Sequence, residues 1–428
     1  MNSNEPMWKS ALAGSQMLFV AFGALVLMPL LTGMDPSVAL FTAGLGTLLF
    51  QFVTKRSIPI FLASSFAFIA PILYSVQTWG MSDTLGGLLA AGIVYMLLGA
   101  LVKLRGVGFL HRLMPPVVTG PVIMVIGLGL APVAVNMAMG KTGDGAIELF
   151  PYVDAMIVSM SALFTTLIVA SYAKGLFRLI PILFGVLVGY SVAAFMGMVN
   201  LDAVNAAPLL AVPEFVFPTL NWATILFMIP VSIAPAIEHV GDVLAISNVT
   251  GKDYVKKPGL HRTLFGDGLA TSAAAMLGGP PNTTYSEVTG AVMLTKTFNP
   301  VVMTWAAVIA ILMALVAKFG AALQTIPAPV MGGILILLFG SIAAVGLNTL
   351  IKARVDLTQQ RNLVIVATVL VFGIGGMAIG GNDFSLQGIS LCGVVAILLN
   401  LILPKEQPES DDLHEEKAVV DDLIDHAR

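Results

Sequence analysis

Charge is what this sequence has least of: 11% of its 428 residues are Asp, Glu, Lys or Arg, while 57% are hydrophobic. A soluble domain carries about 25% charged residues, so an ordinary water-soluble enzyme is excluded. Cysteine is nearly absent too. The one copy, Cys392, lies in an apolar run, which leaves no disulfide framework and no thiolate metal cluster to build. No small-residue cleavage site follows the first apolar run, residues 11–31, so it is expected to be a retained helix and not a signal peptide. The few charges are also unevenly spread. Residues 405–428 hold nine of the 24 acids and three of the 21 bases, leaving a nearly charge-free body with 15 acids and 18 bases. This is the pattern of a polytopic membrane protein with a solvated, disordered acidic tail, in which a short helix around residues 413–424 is the one expected element.

What the body has instead is a series of apolar stretches of about 20 residues, the length that spans a bilayer core. They begin near residues 10, 36, 59, 84, 115, 154, 179, 222, 261, 280, 299, 328, 361 and 386, which makes fourteen. Lys and Arg cluster at every second connection: seventeen bases, Lys9 through Lys405, fall on one side, and only Lys141 and Lys318 on the other. By the positive-inside rule both termini are predicted to be cytoplasmic. Seven spans per half, an odd number, forces two halves into opposite orientations. Residues 113–120 (LMPPVVTG) and 325–332 (TIPAPVMG) are weakly similar and open spans five and twelve, which correspond under that repeat. The expected fold is therefore an all-α integral membrane protein with repeats at 1–200 and 215–404, followed by the tail at 405–428.

Two spans do not read as ordinary helices. In the third, Pro59 and Pro71 bracket a stretch containing Ser64, Ser65, Phe66 and Phe68; in the tenth, Gly278-Gly279-Pro280-Pro281 runs into Asn282-Thr283-Thr284-Tyr285-Ser286-Glu287. Irregular backbone at membrane depth survives only where protein buries it or it lines a watery cavity. A matched pair of broken segments points to a midplane binding site with half-helix N-termini aimed into it. A plain structural kink is the alternative. Asn282-Thr283-Thr284 also matches a glycosylation acceptor, a match that its membrane depth makes accidental.

Acids inside spans are costly and are candidates for function. Four qualify: Glu238, Asp242, Asp267 and Glu287. Glu238 and Asp242 are four residues apart, on one helix face. Their proximity disfavours joint ionisation, so one is expected to hold a proton near neutral pH, as proton coupling requires. Asp267 is divided evenly between a coupling role and a hydrogen-bonding one. His239 lies about 100° around the helix from Glu238 and is expected to pack or cap. Gln16, the one strongly polar side chain of the first span, occupies the position matching Glu238 in the inverted half and is expected to face the same cavity.

Together these residues resemble the nucleobase–ascorbate transporter family, near its bacterial uracil and xanthine permeases. The motifs are Ser64-Ser65-Phe66-Ala67-Phe68, Glu238-His239-Val240-Gly241, Pro281 to Tyr285 with Glu287 and Gly290, and residues 326–333 (IPAPVMGG). The resemblance covers residues 16–403. It implies a core domain (9–110 and 222–320) moving against a gate domain (112–200 and 325–404), and short strands pairing in spans 3 and 10. It further implies that Glu238 and Glu287 accept ring N–H groups, while backbone amides at Phe66 and Ser286 donate to ring carbonyls. Ser65, Tyr285 and Phe339 are expected near the substrate, Asn282, Thr283 and Thr284 as polar support, and Asp242 and Asp267 with Glu238 as proton carriers. Asp242 and Asp267 are closer to the xanthine and urate branch, whereas Glu287 is the uracil-type residue. Val288, Met17 and Phe339 also depart from the usual pattern.

The expected function is proton-coupled nucleobase import across a bacterial inner membrane, uracil first and a purine such as xanthine second. No cofactor, metal or nucleic acid is expected, only a nucleobase, protons and lipid, with a homodimer formed through the gate domain. An anion carrier of the same plan would want a neutral or basic lining, whereas the midplane charges here are acids. An intramembrane enzyme would need a nucleophile, base and oxyanion site within mutual reach, and no Ser/His or metal-ligand spacing provides them.

Overall fold

The computed structural model describes residues 7–381 and 385–404 and is dominated by helices. Asp383, the acidic stretch from residue 405 and the expected helix at 413–424 lie outside the described residues. The first half contains α1 (Met7–Thr32), α2 (Pro36–Val53), α3 (Ile69–Trp79), α4 (Met81–Arg105), α5 (Val107–Leu113), α6 (Pro116–Gly129), α7 (Ala131–Ala138), α8 (Tyr152–Tyr172) and α9 (Pro181–Phe195). After a short α10 (Asp202–Ala206) come α11 (Trp222–Val231), α12 (Ile233–Thr250), α13 (Leu260–Met276), α14 (Ser286–Thr295), α15 (Val301–Ala314) and α16 (Ala317–Gln324). The chain continues through α17 (Ala328–Lys352), α18 (Gln360–Ile374) and α19 (Gly388–Ile402). Among the described residues four three-residue strands are interspersed: β1 (Leu62–Ser64), β2 (Asn282–Thr284), β3 (Ala378–Gly380) and β4 (Ser385–Gln387).

Among the described residues, seven helical stretches are long and apolar enough to cross a bilayer: α1, α2, α4, α6 with α7, α8, α11 with α12, and α17. An eighth, α15 with α16, is bent by 81°. The chain is thus a multi-span membrane protein. Local sequence sets where these helices start and bend. At α2 the Asp35 carboxylate caps the amides of Ser37 and Val38 at 2.6 and 3.3 Å, and Pro36 follows it, where a missing N–H costs nothing. Pro230, which has no N–H to donate, sits at the break between α11 and α12.

Helices α1, α2 and α4 pack with α11, α13 and α15, while α6 to α9 pack with α17, and α6 also packs with α18 and α19. The two groups meet where α1 touches α9, α6 touches α12, and α11 touches α19. Lipid gives helices little hydrophobic reason to associate, so close backbone approach carries the contact. A methyl group built on Gly268 of α13 would stand 2.5 Å from the Gly92 carbonyl of α4, and one on Gly44 of α2 would stand 2.5 Å from the Ala307 carbonyl of α15. In the second group a methyl on Gly346 of α17 would stand 2.6 Å from the Gly120 carbonyl of α6.

The two broken segments meet inside the first group. Strands β1 and β2 pair antiparallel, with Leu62 opposite Thr284, Ala63 opposite Thr283 and Ser64 opposite Asn282. Neighbouring helices stitch this ribbon in place: the Leu62 amide donates to Thr47 Oγ1 at 3.0 Å, and Thr271 Oγ1 donates to the Asn282 carbonyl at 2.8 Å. Each strand runs directly into a helix, β1 towards α3 and β2 towards α14. Because the strands are antiparallel, those helices leave from opposite ends of the ribbon.

Candidate functional site

A cavity of about 570 Å³ opens between the two groups, walled by α6, α12, the first turn of α14 and α17. Helix α12 presents Glu238, Gly241, Asp242 and Ala245 to it, the i, i+3, i+4, i+7 stripe of one face. The first turn of α14 adds Ser286 and Glu287. Glu238 and Glu287 are therefore brought to one space from segments nearly 50 residues apart, and both side chains are open to it. Asp242 lies deeper and is 4% exposed; it accepts from Thr284 Oγ1 at 2.7 Å and from the Ser286 hydroxyl.

Behind this wall is a wholly buried polar layer. His239 Nε2 is 2.9 Å from Thr263 Oγ1, and its Nδ1 stands 3.4 Å from both Asp267 Oδ2 and Thr284 Oγ1. Asp267 itself is 0% exposed. The Phe50 ring stands steeply inclined to the imidazole, with ring centroids 6.5 Å apart and an interplanar angle of 71°. Next to this layer, Ser64, Ser65 and both side-chain polar atoms of Asn282 are buried without hydrogen-bond partners.

Most of the expected site residues fall into three places. Glu238, Glu287, Asp242 and Ser286 share the cavity; Thr284, Asn282, Thr283, Ser64 and Ser65 form the ribbon beside it; Asp267 and His239 lie behind. Tyr285 is on the far side of Glu287, in a second cleft with Phe19, Arg178 and Ile182. Gln16 differs from expectation: it lines a separate apolar cleft with Phe19, Phe177 and Lys174, because that face of α1 packs towards α14 and the stretch before α9. Phe339 also differs. It is 1% exposed and absent from the cavity wall, since its helix passes close to Gly127 of α6 there; Ser341 and Ile342, one half-turn on, face the cavity instead. Phe66 is buried at 8% exposure at the entry to α3 and, unlike Ser286, is not among the residues lining the cavity.

Sequence reasoning missed the α17 wall. Ser341, Val345, Asn348, Thr349 and Lys352 line the cavity, and their 3- and 4-residue spacing in an otherwise apolar helix was a usable signal. Lys352 is the sole basic residue among those lining the cavity. Thr263 and Thr271 carried no such signal, since threonine in a helix ordinarily bonds its own backbone.

A family model described as a permease family, Xan_ur_permease, matches residues 8–382. A protein of Pasteurella multocida called "Probable uracil permease" is 60% identical over 397 residues, 93% of this chain and 94% of its own. The "Uracil permease" of Bacillus caldolyticus is 45% identical, with 94% and 93% covered, and that of Escherichia coli K12 is 37% identical, also with 94% and 93% covered. Among solved structures, the transmembrane domain of the cyanobacterial bicarbonate transporter BicA is similar with a TM-score of 0.65 at 14% identity, covering 94% of this chain and 98% of that one. Murine Slc26a9, an anion transporter in the inward-facing state, is similar with a TM-score of 0.72 at 12% identity, covering 94% and 69%. At such identities these two likenesses speak for the fold alone.

Proposed function

Because the chain belongs to this permease family, which spans residues 8–382, we propose that it is a proton-coupled uracil importer of a bacterial inner membrane. As a permease it moves its solute and does not transform it. The observation that carries the reading is the meeting of Glu238 and Glu287 in one cavity, beside the N-terminus of α14 and a strand ribbon. Uracil is a flat neutral ring that alternates N–H donors with C=O acceptors. Two carboxylates accepting its N–H groups, with backbone amides at Phe66 and Ser286 donating to its carbonyls, match that order. A polar group left unmatched in such a site is penalised heavily, which is how the ring is selected.

Asp242, one turn from Glu238 and held by two hydroxyls, carries the coupling proton, with Asp267 behind it. A proton on this cluster relieves repulsion among the acids, so proton and substrate binding favour each other. A helix or a strand-helix unit begins near each of the fourteen expected starts, in support of fourteen crossings. The separate packing of α1 to α4 with α11 to α15, and of α6 to α9 with α17 to α19, supports a core moving against a gate. Both termini are cytoplasmic in this reading, and the gate is the expected homodimer contact.

The test is uptake of labelled uracil and xanthine into proteoliposomes with an imposed pH gradient, alongside binding of both to purified protein at two pH values. Uracil uptake that is driven by inward acid and lost in Glu238→Gln is the expected result. Xanthine preference would move the assignment to the purine branch, and currents carried by bicarbonate or chloride would overturn it.

A further inference from the structure

The hydrogen-bond directions around His239 constrain where protons sit. Thr263 Oγ1 donates its only proton to the Leu260 carbonyl at 3.0 Å, so at 2.9 Å it accepts from Nε2–H of His239. Thr284 Oγ1 donates its only proton to Asp242 at 2.7 Å, so towards Nδ1 it offers a lone pair. The other neighbour of Nδ1 is the buried Asp267 carboxylate, whose Oδ2 stands 3.4 Å away and neither of whose oxygens has a hydrogen-bond partner. With Nε2 already protonated, a bare Nδ1 would face two acceptors across a layer that water does not reach. A proton held between Nδ1 and Asp267 would satisfy both the ring nitrogen and the unpartnered carboxylate.

We infer that His239 is a positioning residue for the coupling proton, sharing one proton with Asp267 and joined through the Thr284 hydroxyl to Asp242. While Asp242 is ionised, it holds the Thr284 proton and leaves a lone pair facing Nδ1, which keeps the shared proton on the imidazole. When Asp242 takes up a proton, the hydroxyl is free to turn its own hydrogen to Nδ1, and the shared proton moves to Asp267. No proton is gained beyond the one on Asp242. The two aspartates then titrate as one unit although only Asp242 lines the cavity. The other ionisable groups facing this layer are Glu238 on the same helix, Glu287 across the cavity and the buried Tyr95 of α4. None of them lies between Nδ1 and Asp267.

This inference rests on the proton-coupled reading above, and two measurements separate them. The first is nitrogen-15 NMR of the full-length protein in lipid nanodiscs, with the other four histidines (His111, His261, His414 and His426) replaced by glutamine. Asp267→Asn is expected to move the Nδ1 resonance to that of a bare imidazole nitrogen with Nε2 still protonated. An unmoved resonance overturns the shared proton whatever the transport result. The second is the pH profile of uracil uptake. His239→Gln and Asp267→Asn are each expected to displace its midpoint by about one pH unit, by more than they change uracil affinity at saturating acid. The double variant is expected to match the singles. Displacements that add in the double variant, or an affinity loss with an unchanged midpoint, reduce His239 to packing. Wild-type uptake indifferent to pH would sink proton coupling itself, and the NMR result would still decide the pairing.

Discussion

In the proposed site, the role of each acid follows from what its carboxylate touches. Glu238 and Glu287 are open to the cavity, and removing a charged acceptor from a buried polar contact costs about 1.5 to 3 kcal/mol. Glu238→Gln should therefore weaken uracil binding by roughly 10- to 150-fold and abolish uptake, as measured by calorimetry and by labelled uptake. Wild-type behaviour in both would remove Glu238 from the site. Asp242 is bonded to Thr284 and Ser286 and is nearly buried in the cavity wall. Asp242→Asn should flatten the pH dependence of uptake more than it weakens equilibrium binding, read from uptake and binding at matched pH values. These acids were legible in the sequence because an acid inside an apolar run has no cheap structural explanation. The roles of Thr263 and Thr284 around His239 were not, since hydroxyl partners depend on which helix lies opposite.

At the level of elements, close backbone approach holds the scaffold while the cavity face is left free to vary. Gly268 and Gly92 let α13 and α4 touch, whereas a methyl on Gly241, on the cavity face of α12, would meet nothing within 4 Å. Gly268→Val should lower stability by about 1 to 3 kcal/mol by overpacking, visible as a lower unfolding temperature in detergent. Gly241→Ala should leave that temperature unchanged or raise it, because alanine is about 1 kcal/mol better than glycine in a helix, and should still narrow the cavity wall and weaken binding. Equal stability losses for the two would contradict this division. The ribbon was legible as two proline- and glycine-broken segments at corresponding positions. Its register was not, because pairing of Ser64 with Asn282 depends on how α2 and α13 clamp the two strands, through Thr47 and Thr271.

For the whole molecule, the asymmetric Lys and Arg distribution predicts the orientation. With Cys392 replaced by alanine, a cysteine at Asp253 should react with an impermeant thiol reagent only from the cytoplasmic side, and one at Asp202 only from the outside. Labelling both from one side would refute the inverted arrangement. The transport cycle is equally global. Dissipating the proton gradient with a protonophore should stop concentrative uracil uptake while leaving exchange of internal for external uracil intact, measured in the same vesicles.

Composition and period decided what could be decided along the chain: a membrane solvent, the approximate start of each span, the side on which bases accumulate and the few acids worth their burial. These are properties of residues against a bilayer, and the bilayer is the same for every span. Only the tertiary structure decided which acids share a space. It placed Glu287 opposite Glu238, moved Gln16 into another cleft, took Phe339 off the cavity wall and put His239 between Asp267 and Thr284. Those outcomes depend on helix rotation and crossing, which are set by backbone contacts such as Gly92 with Gly268 and Gly120 with Gly346, between segments more than 170 residues apart.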